Sequence, residues 1–159
     1  MSDQTSKEIR SKVTSEGNIE ISIATVAKPI PSNDEVLIRV EAAPINPSDL
    51  GLLLSFAADL NTINVTGSGD ETITSIKIHP GLIGAMKPRL DESMQVGNEG
   101  SGVILDAGAN AKGLIGKTVG LAGGSMYSQY RCVPATSCLV MEDGNCLLYT
   151  SPSPRDGHQ

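Results

Sequence analysis

Residues Asn18 to Val26 read Asn-Ile-Glu-Ile-Ser-Ile-Ala-Thr-Val, with isoleucine at 19, 21 and 23. Strict alternation of this kind predicts a half-buried β-strand. Val36, Ile38 and Val40 repeat the pattern on one side of a second strand, with Leu37 and Arg39 on the other. Between the two runs, Lys28-Pro-Ile-Pro-Ser-Asn-Asp34 predicts a turn, because each proline fixes φ and biases the preceding residue away from helix. At Ile45-Asn-Pro-Ser-Asp49 the chain changes character. Asn46 suits an N-cap, Pro47 suits the first helical position, and Asp49 sets a negative charge on the helix's positive end. The spacing predicts a short helix running to about Phe56.

Ala57 to His79 is less regular: Asn61 to Asp70 reads as loop and Thr72 to Ile78 as a strand. From Val96 onward short β segments follow at Gly102 to Asp106, Thr118 to Leu121, Tyr127 to Val133 and Cys138 to Met141. Gly-Ala-Asn at 108 to 110, Gly113, Gly116 and Gly123-Gly124 separate them. Many short strands with frequent turns predict a mainly β, barrel-like domain. There is no internal repeat.

Composition narrows the function classes. A net charge of −6 argues against nucleic acid, whose phosphates need clustered Lys and Arg. No apolar run reaches about 18 residues and the polar start has no signal-peptide core, so the expectation is a cytoplasmic protein without a membrane span. Aromatic content is only 3%, so packing must rest on Ile, Leu, Val and Ala. Cys132, Cys138 and Cys146, like His79 and His158, lack zinc-site spacing and read as incidental or buried groups. Asn64-Val-Thr66 fits a glycosylation pattern, discounted without a secretory signal.

Two segments, Glu35-Val-Leu-Ile-Arg-Val-Glu-Ala-Ala-Pro-Ile-Asn-Pro-Ser-Asp49 and Val96-Gly-Asn-Glu-Gly-Ser-Gly-Val103, carry a family resemblance. The sequence from about Lys7 to Asn145 resembles the N-terminal, GroES-like half of medium-chain dehydrogenases/reductases, in particular the zinc-independent, quinone oxidoreductase-like branch. The resemblance implies a partly open β-barrel with a few short helices. It also implies a parent enzyme, homodimeric, that transfers hydride from NADPH to a small-molecule quinone, enone or enoyl substrate. Residues 57 to 80 look like a subgroup insertion against that pattern.

A nicotinamide enzyme needs a strand, a G-x-G-x-x-G/A turn and a helix N-terminus to hold pyrophosphate. Gly67-Ser-Gly69, Gly97-Asn-Glu-Gly-Ser-Gly102 and Gly120-Leu-Ala-Gly-Gly124 all fail on spacing or context. The expectation is therefore a substrate-side piece that is inactive alone, with NADP bound mainly by a further domain. Zinc-dependent relatives place His and Cys ligands where this sequence has Asn98 and Asn46 or a neighbour, so no zinc is expected. Glycines 97, 100 and 102 read first as positions of strand bending and close backbone approach, and second as part of a cleft wall. Glu99 reads as a hydrogen-bond acceptor.

Asn46, Ser48 and Asp49 are explained by helix capping alone. The resemblance adds a cleft-lining role, in which Asn46 donates to a substrate carbonyl oxygen and Asn46 with Asp49 borders the nicotinamide. Tyr127, in Tyr127-Ser-Gln-Tyr130, is a weaker candidate for a proton donor beside its reading as a packing residue. Cys146-Leu-Leu-Tyr-Thr-Ser-Pro-Ser-Pro-Arg-Asp156 resembles one translated frame of a widely used sequencing adapter, which predicts a non-native tail over 146 to 159. The competing readings are a stand-alone GroES-like interaction module without catalysis and a zinc-dependent alcohol dehydrogenase, the latter disfavoured by Asn98.

Overall fold

A computed structural model describes residues 4–55 and 58–141. The chain divides into two compact units. The first comprises residues 1–6, 27–44 and 97–159, the second residues 7–26 and 45–96. Each unit is organised around one five-stranded sheet. Among the described residues neither sheet closes on itself, and the protein is mainly β with short helices, as the sequence predicts.

The strands in chain order are β1 (Thr5–Val13), β2 (Asn18–Ala27), β3 (Glu35–Ala42), β4 (Asn64–Thr66), β5 (Ile73–Lys77), β6 (Ser93–Gln95), β7 (Glu99–Ala107), β8 (Thr118–Ala122), β9 (Tyr130–Pro134) and β10 (Leu139–Val140). One sheet runs β10-β8-β7-β3-β9, the other β4-β5-β2-β1-β6. The only α-helix among the described residues, α1, spans Pro47–Leu53.

In the first unit β3 lies between β7 and β9, antiparallel to both. Val36, Ile38, Ile104, Val119 and Met126 are fully or almost fully buried in its core, each apolar side chain contributing about 1.5–3 kcal/mol by leaving water. Leu37 is buried as well, although the alternation sends it to the opposite face. On that face Leu37 lies beside the β2–β3 connection, with which it lines a common cavity.

In the second unit Val13, Ile19, Ile78 and Met86 form a smaller core. Sequence alternation locates β2 and β5 to within a residue or two. It misses β1, whose Ser6, Glu8 and Ser11 are buried polar residues and break the apolar signal. It also misses the 3₁₀ segment Pro80–Arg89. Two boundaries are corrected. The helix stops at Leu53 rather than near Phe56, and Ser55 takes a left-handed φ of 60° that ends it. The strand predicted from Tyr127 begins at Tyr130, so Tyr127 lies in the preceding bend. The predicted tail over 146 to 159, with Cys146 and His158, lies outside the described residues. No helix among the described residues is long and apolar enough to cross a membrane.

Candidate functional site

In the second unit the Asn46–Asp49 segment is built as a helix start. Asn46 occupies the N-cap with extended backbone, φ −95° and ψ 160°, and Pro47 follows in the first turn. The carboxylate Oδ2 of Asp49 accepts the Asn46 N–H at 2.8 Å, the reciprocal half of a capping box. The Asn46 side chain faces the Asp49 backbone in the same arrangement without a full hydrogen bond of its own. Asp49 is completely buried while Asn46 is half-buried, so the two candidates differ in access. A buried carboxylate occupied with backbone is a positioning group; the amide beside it retains a surface.

The far end of α1 has its own fastening. Arg89 Nη2 donates to the Leu52 carbonyl at 2.9 Å and to Ser11 Oγ at 3.3 Å, and Ser11 Oγ donates to the Leu53 carbonyl at 3.1 Å. The last carbonyls of a helix lack intrahelical donors, and a cation suits that end of the dipole. Burial pushes the Arg89 guanidinium below its ordinary range. Sequence reading missed this pair because the three partners come from separate stretches of chain. A short helix held at both ends fixes the direction in which its first residue points.

In the first unit Gly97, Asn98 and Glu99 form the turn into β7. Gly97 has φ 103°, and a Cβ there would stand 2.5 Å from the Tyr127 nitrogen and 2.8 Å from that of Met126. Its carbonyl accepts the Met126 N–H at 3.0 Å. The Asn98 carbonyl accepts the N–H of Gly123. Gly102 brings β7 so close to β3 that a Cβ would meet the Arg39 carbonyl at 2.0 Å. Close approach is therefore a role these glycines fill in the structure. Asn98 and Glu99 are both half-buried. Tyr127 donates its hydroxyl to the Pro44 carbonyl at 2.8 Å, which ties this bend to the residue just before Ile45. That engagement makes it a strut for the loop, and a free phenol poised as an acid is not what the geometry offers.

Cys132 and Cys138 are free and half-buried, and burial raises both thiols, Cys132 to about 11. Thiols held in that way are poor nucleophiles. Among the described residues no three His, Cys, Asp or Glu side chains gather into a possible metal-binding set. The fit to a dinucleotide is also poor. β3 pairs antiparallel with β7 and β9, and α1 has only seven residues and follows no parallel strand. The described residues thus lack the strand-turn-helix cradle for pyrophosphate.

Neither a protein-family model nor a curated protein sequence matches the chain. Its fold is that of the GroES-like N-terminal part of medium-chain reductases. Solved structures that share it include a protein assigned as an NADPH:quinone reductase from Mesorhizobium loti, 21% identical with TM-score 0.57, matched over 93% of this chain and 40% of that one. The quinone oxidoreductase from Coxiella burnetii matches at 16% identity and TM-score 0.56, over 90% and 39%. A mycobacterial protein solved with NADPH matches at 17% identity and TM-score 0.55, over 89% and 34%. The chain therefore spans well under half the length of the structures it resembles.

Proposed function

We propose that this chain is the substrate-side part of a zinc-independent, NAD(P)H-dependent oxidoreductase that transfers hydride to a small quinone, enone or enoyl substrate. The observation that carries this reading is the shared fold with reductases over about nine-tenths of the chain, against about two-fifths of theirs. The nicotinamide cofactor would supply the hydride and be held mainly by polypeptide other than the described residues. This chain supplies orientation. Asn46, set by the Asp49 carboxylate and by a helix fastened at Arg89 and Ser11, presents an amide donor. Such a donor stabilises negative charge on a carbonyl oxygen as hydride arrives at the conjugated carbon. Asp49 contributes by holding Asn46, and Tyr127 by holding Pro44.

Two measurements test this. Fluorescence titration of the 159-residue chain with NADPH should show no saturable binding, and mixtures with quinones should show no NADPH oxidation; tight binding would refute the placement of the cofactor. A protein of the reductases' length that contains this sequence should oxidise NADPH with a quinone, enone or enoyl thioester, and Asn46→Ala should lower kcat by about a hundredfold. An inactive protein of that length would overturn the reading.

A further inference from the structure

Gly51 has no reason inside the chain to be glycine. It lies within α1 on helical backbone, where glycine is the poorest choice after proline. A Cβ there would meet nothing within 4 Å, so packing does not exclude a side chain either. Glycine in such a place leaves room for something outside the chain to approach the backbone closely.

The side of the helix that carries Gly51 is apolar and open. At the α-helical repeat, Pro47, Leu50 and Gly51 share one side of α1, while Asp49, Leu52 and Leu53 share the other. Burial follows this division. Asp49 is wholly buried, Leu52 and Leu53 are half-buried, and Pro47, Leu50 and Gly51 are exposed. Leu50 is 45% exposed, and Ile45, just ahead of the N-cap, is 73% exposed. These two hold the positions that flank the Asn46 cap with large apolar side chains. The exposed side carries no charge, because Asp49, the one carboxylate of α1, lies opposite and is engaged by the Asn46 N–H. An uncharged apolar side with a gap at Gly51 is complementary to a flat, neutral, apolar body. A charged body would lose its hydration there without gaining a partner.

We propose that this side of α1 seats the ring or conjugated chain of the substrate, with Gly51 setting the width that fits and the carbonyl oxygen turned to Asn46. The inference rests on the reading of this chain as part of a reductase, and narrows it to neutral substrates with an apolar ring or chain. Gly51 is then a specificity-determining residue, bordered by Leu50 and Ile45.

Two assays test this. In the 159-residue chain, Gly51→Ala should raise the urea midpoint, because alanine is the better helix former and its methyl meets nothing. A lowered midpoint would overturn the proposal, by showing that the fold itself needs glycine there. In a protein of the reductases' length that contains this sequence, KM is compared for benzoquinone and for a naphthoquinone, which adds a second ring. Gly51→Leu should shift the ratio of the two KM values about tenfold against the naphthoquinone. Leu50→Asp should raise both, by setting a charge on the apolar side. A ratio unmoved by Gly51→Leu, or KM values unmoved by Leu50→Asp, would overturn the proposal and leave the reductase reading standing. Failure of the unsubstituted protein to reduce either quinone would instead sink that reading and take this inference with it.

Discussion

Replacing Gly97 by alanine should destabilise the first unit severely, and the structure says by how much. At φ 103° an L side chain is strained, which costs about 1–3 kcal/mol. The new methyl would lie 2.5 Å and 2.8 Å from the backbone nitrogens of Tyr127 and Met126 and 2.7 Å from Tyr127 Cδ1. Two of those three obstacles are backbone, so a rotamer change cannot relieve them. The Met126–Tyr127 segment must retreat, stretching the Met126 N–H to Gly97 carbonyl bond and lifting a wholly buried Met126 out of the core. Overpacking of that kind costs about 1–3 kcal/mol more. The sum, about 2–6 kcal/mol, is a large fraction of the roughly 5–15 kcal/mol that a domain commands. With a urea dependence of about 2 kcal/mol per molar, the midpoint should fall by about 1–3 M. Gly113→Ala is the control: a Cβ there meets nothing within 4 Å, and the change should stay within about 0.5 kcal/mol. Urea melts followed by circular dichroism decide the matter. If Gly97→Ala melts within about 0.3 M of the original, a difference of well under 1 kcal/mol, the claim that this backbone cannot yield is wrong.

Tyr127→Phe keeps the ring and deletes the hydroxyl bonded to Pro44, so it should cost about 1 kcal/mol in the same melts; a neutral result would remove the strut from the account. Arg89→Ala strips donors from the Leu52 carbonyl and Ser11, and should cost about 1–3 kcal/mol and speed amide exchange along α1, with Arg89→Lys intermediate; unchanged exchange would show that Ser11 suffices. Burial, with the Glu35 charge adding to it, raises the Cys132 thiol from 9.0 to about 11, so the folded chain holds this proton where the unfolded chain has released it. The stability this gives is complete below pH about 9 and should fade as the pH rises towards about 11, alongside slow alkylation of the native thiol over that window. Cys132→Ser should flatten that part of the pH profile, and an unaltered slope would assign it to other groups.

Features that depend on near neighbours were legible in the sequence. The alternation of Ile19, Ile21 and Ile23 marks β2, and Asn46, Pro47 and Asp49 mark the start of α1, because capping is settled within four residues. β1 escaped notice because Ser6, Glu8 and Ser11 are buried, at positions where the rule expects apolar groups. Two of the three have long-range partners, since Gln95 donates to Glu8 at 2.9 Å and Ser11 bonds the Leu53 carbonyl, while the Ser6 hydroxyl is buried without one among the described residues. Such compensation has no local signature. Tyr127 shows the same limit at the candidate site, since its partner Pro44 lies 83 positions away and its own bend was read as strand.

The pairing of β1 with β6 has a temporal side. Arg10 sits opposite Gln95, and the bond between Gln95 and Glu8 spans 87 positions. On a ribosome adding roughly 5–20 residues each second, the first strand must wait several seconds before its outer neighbour exists. Through that interval one edge of β1 is bare, and its polar residues Ser6, Glu8 and Ser11, later buried, make it a poor template for sticking to other nascent chains. The buried polar groups that obscure this strand from pattern reading are the same ones that keep it safe while it waits.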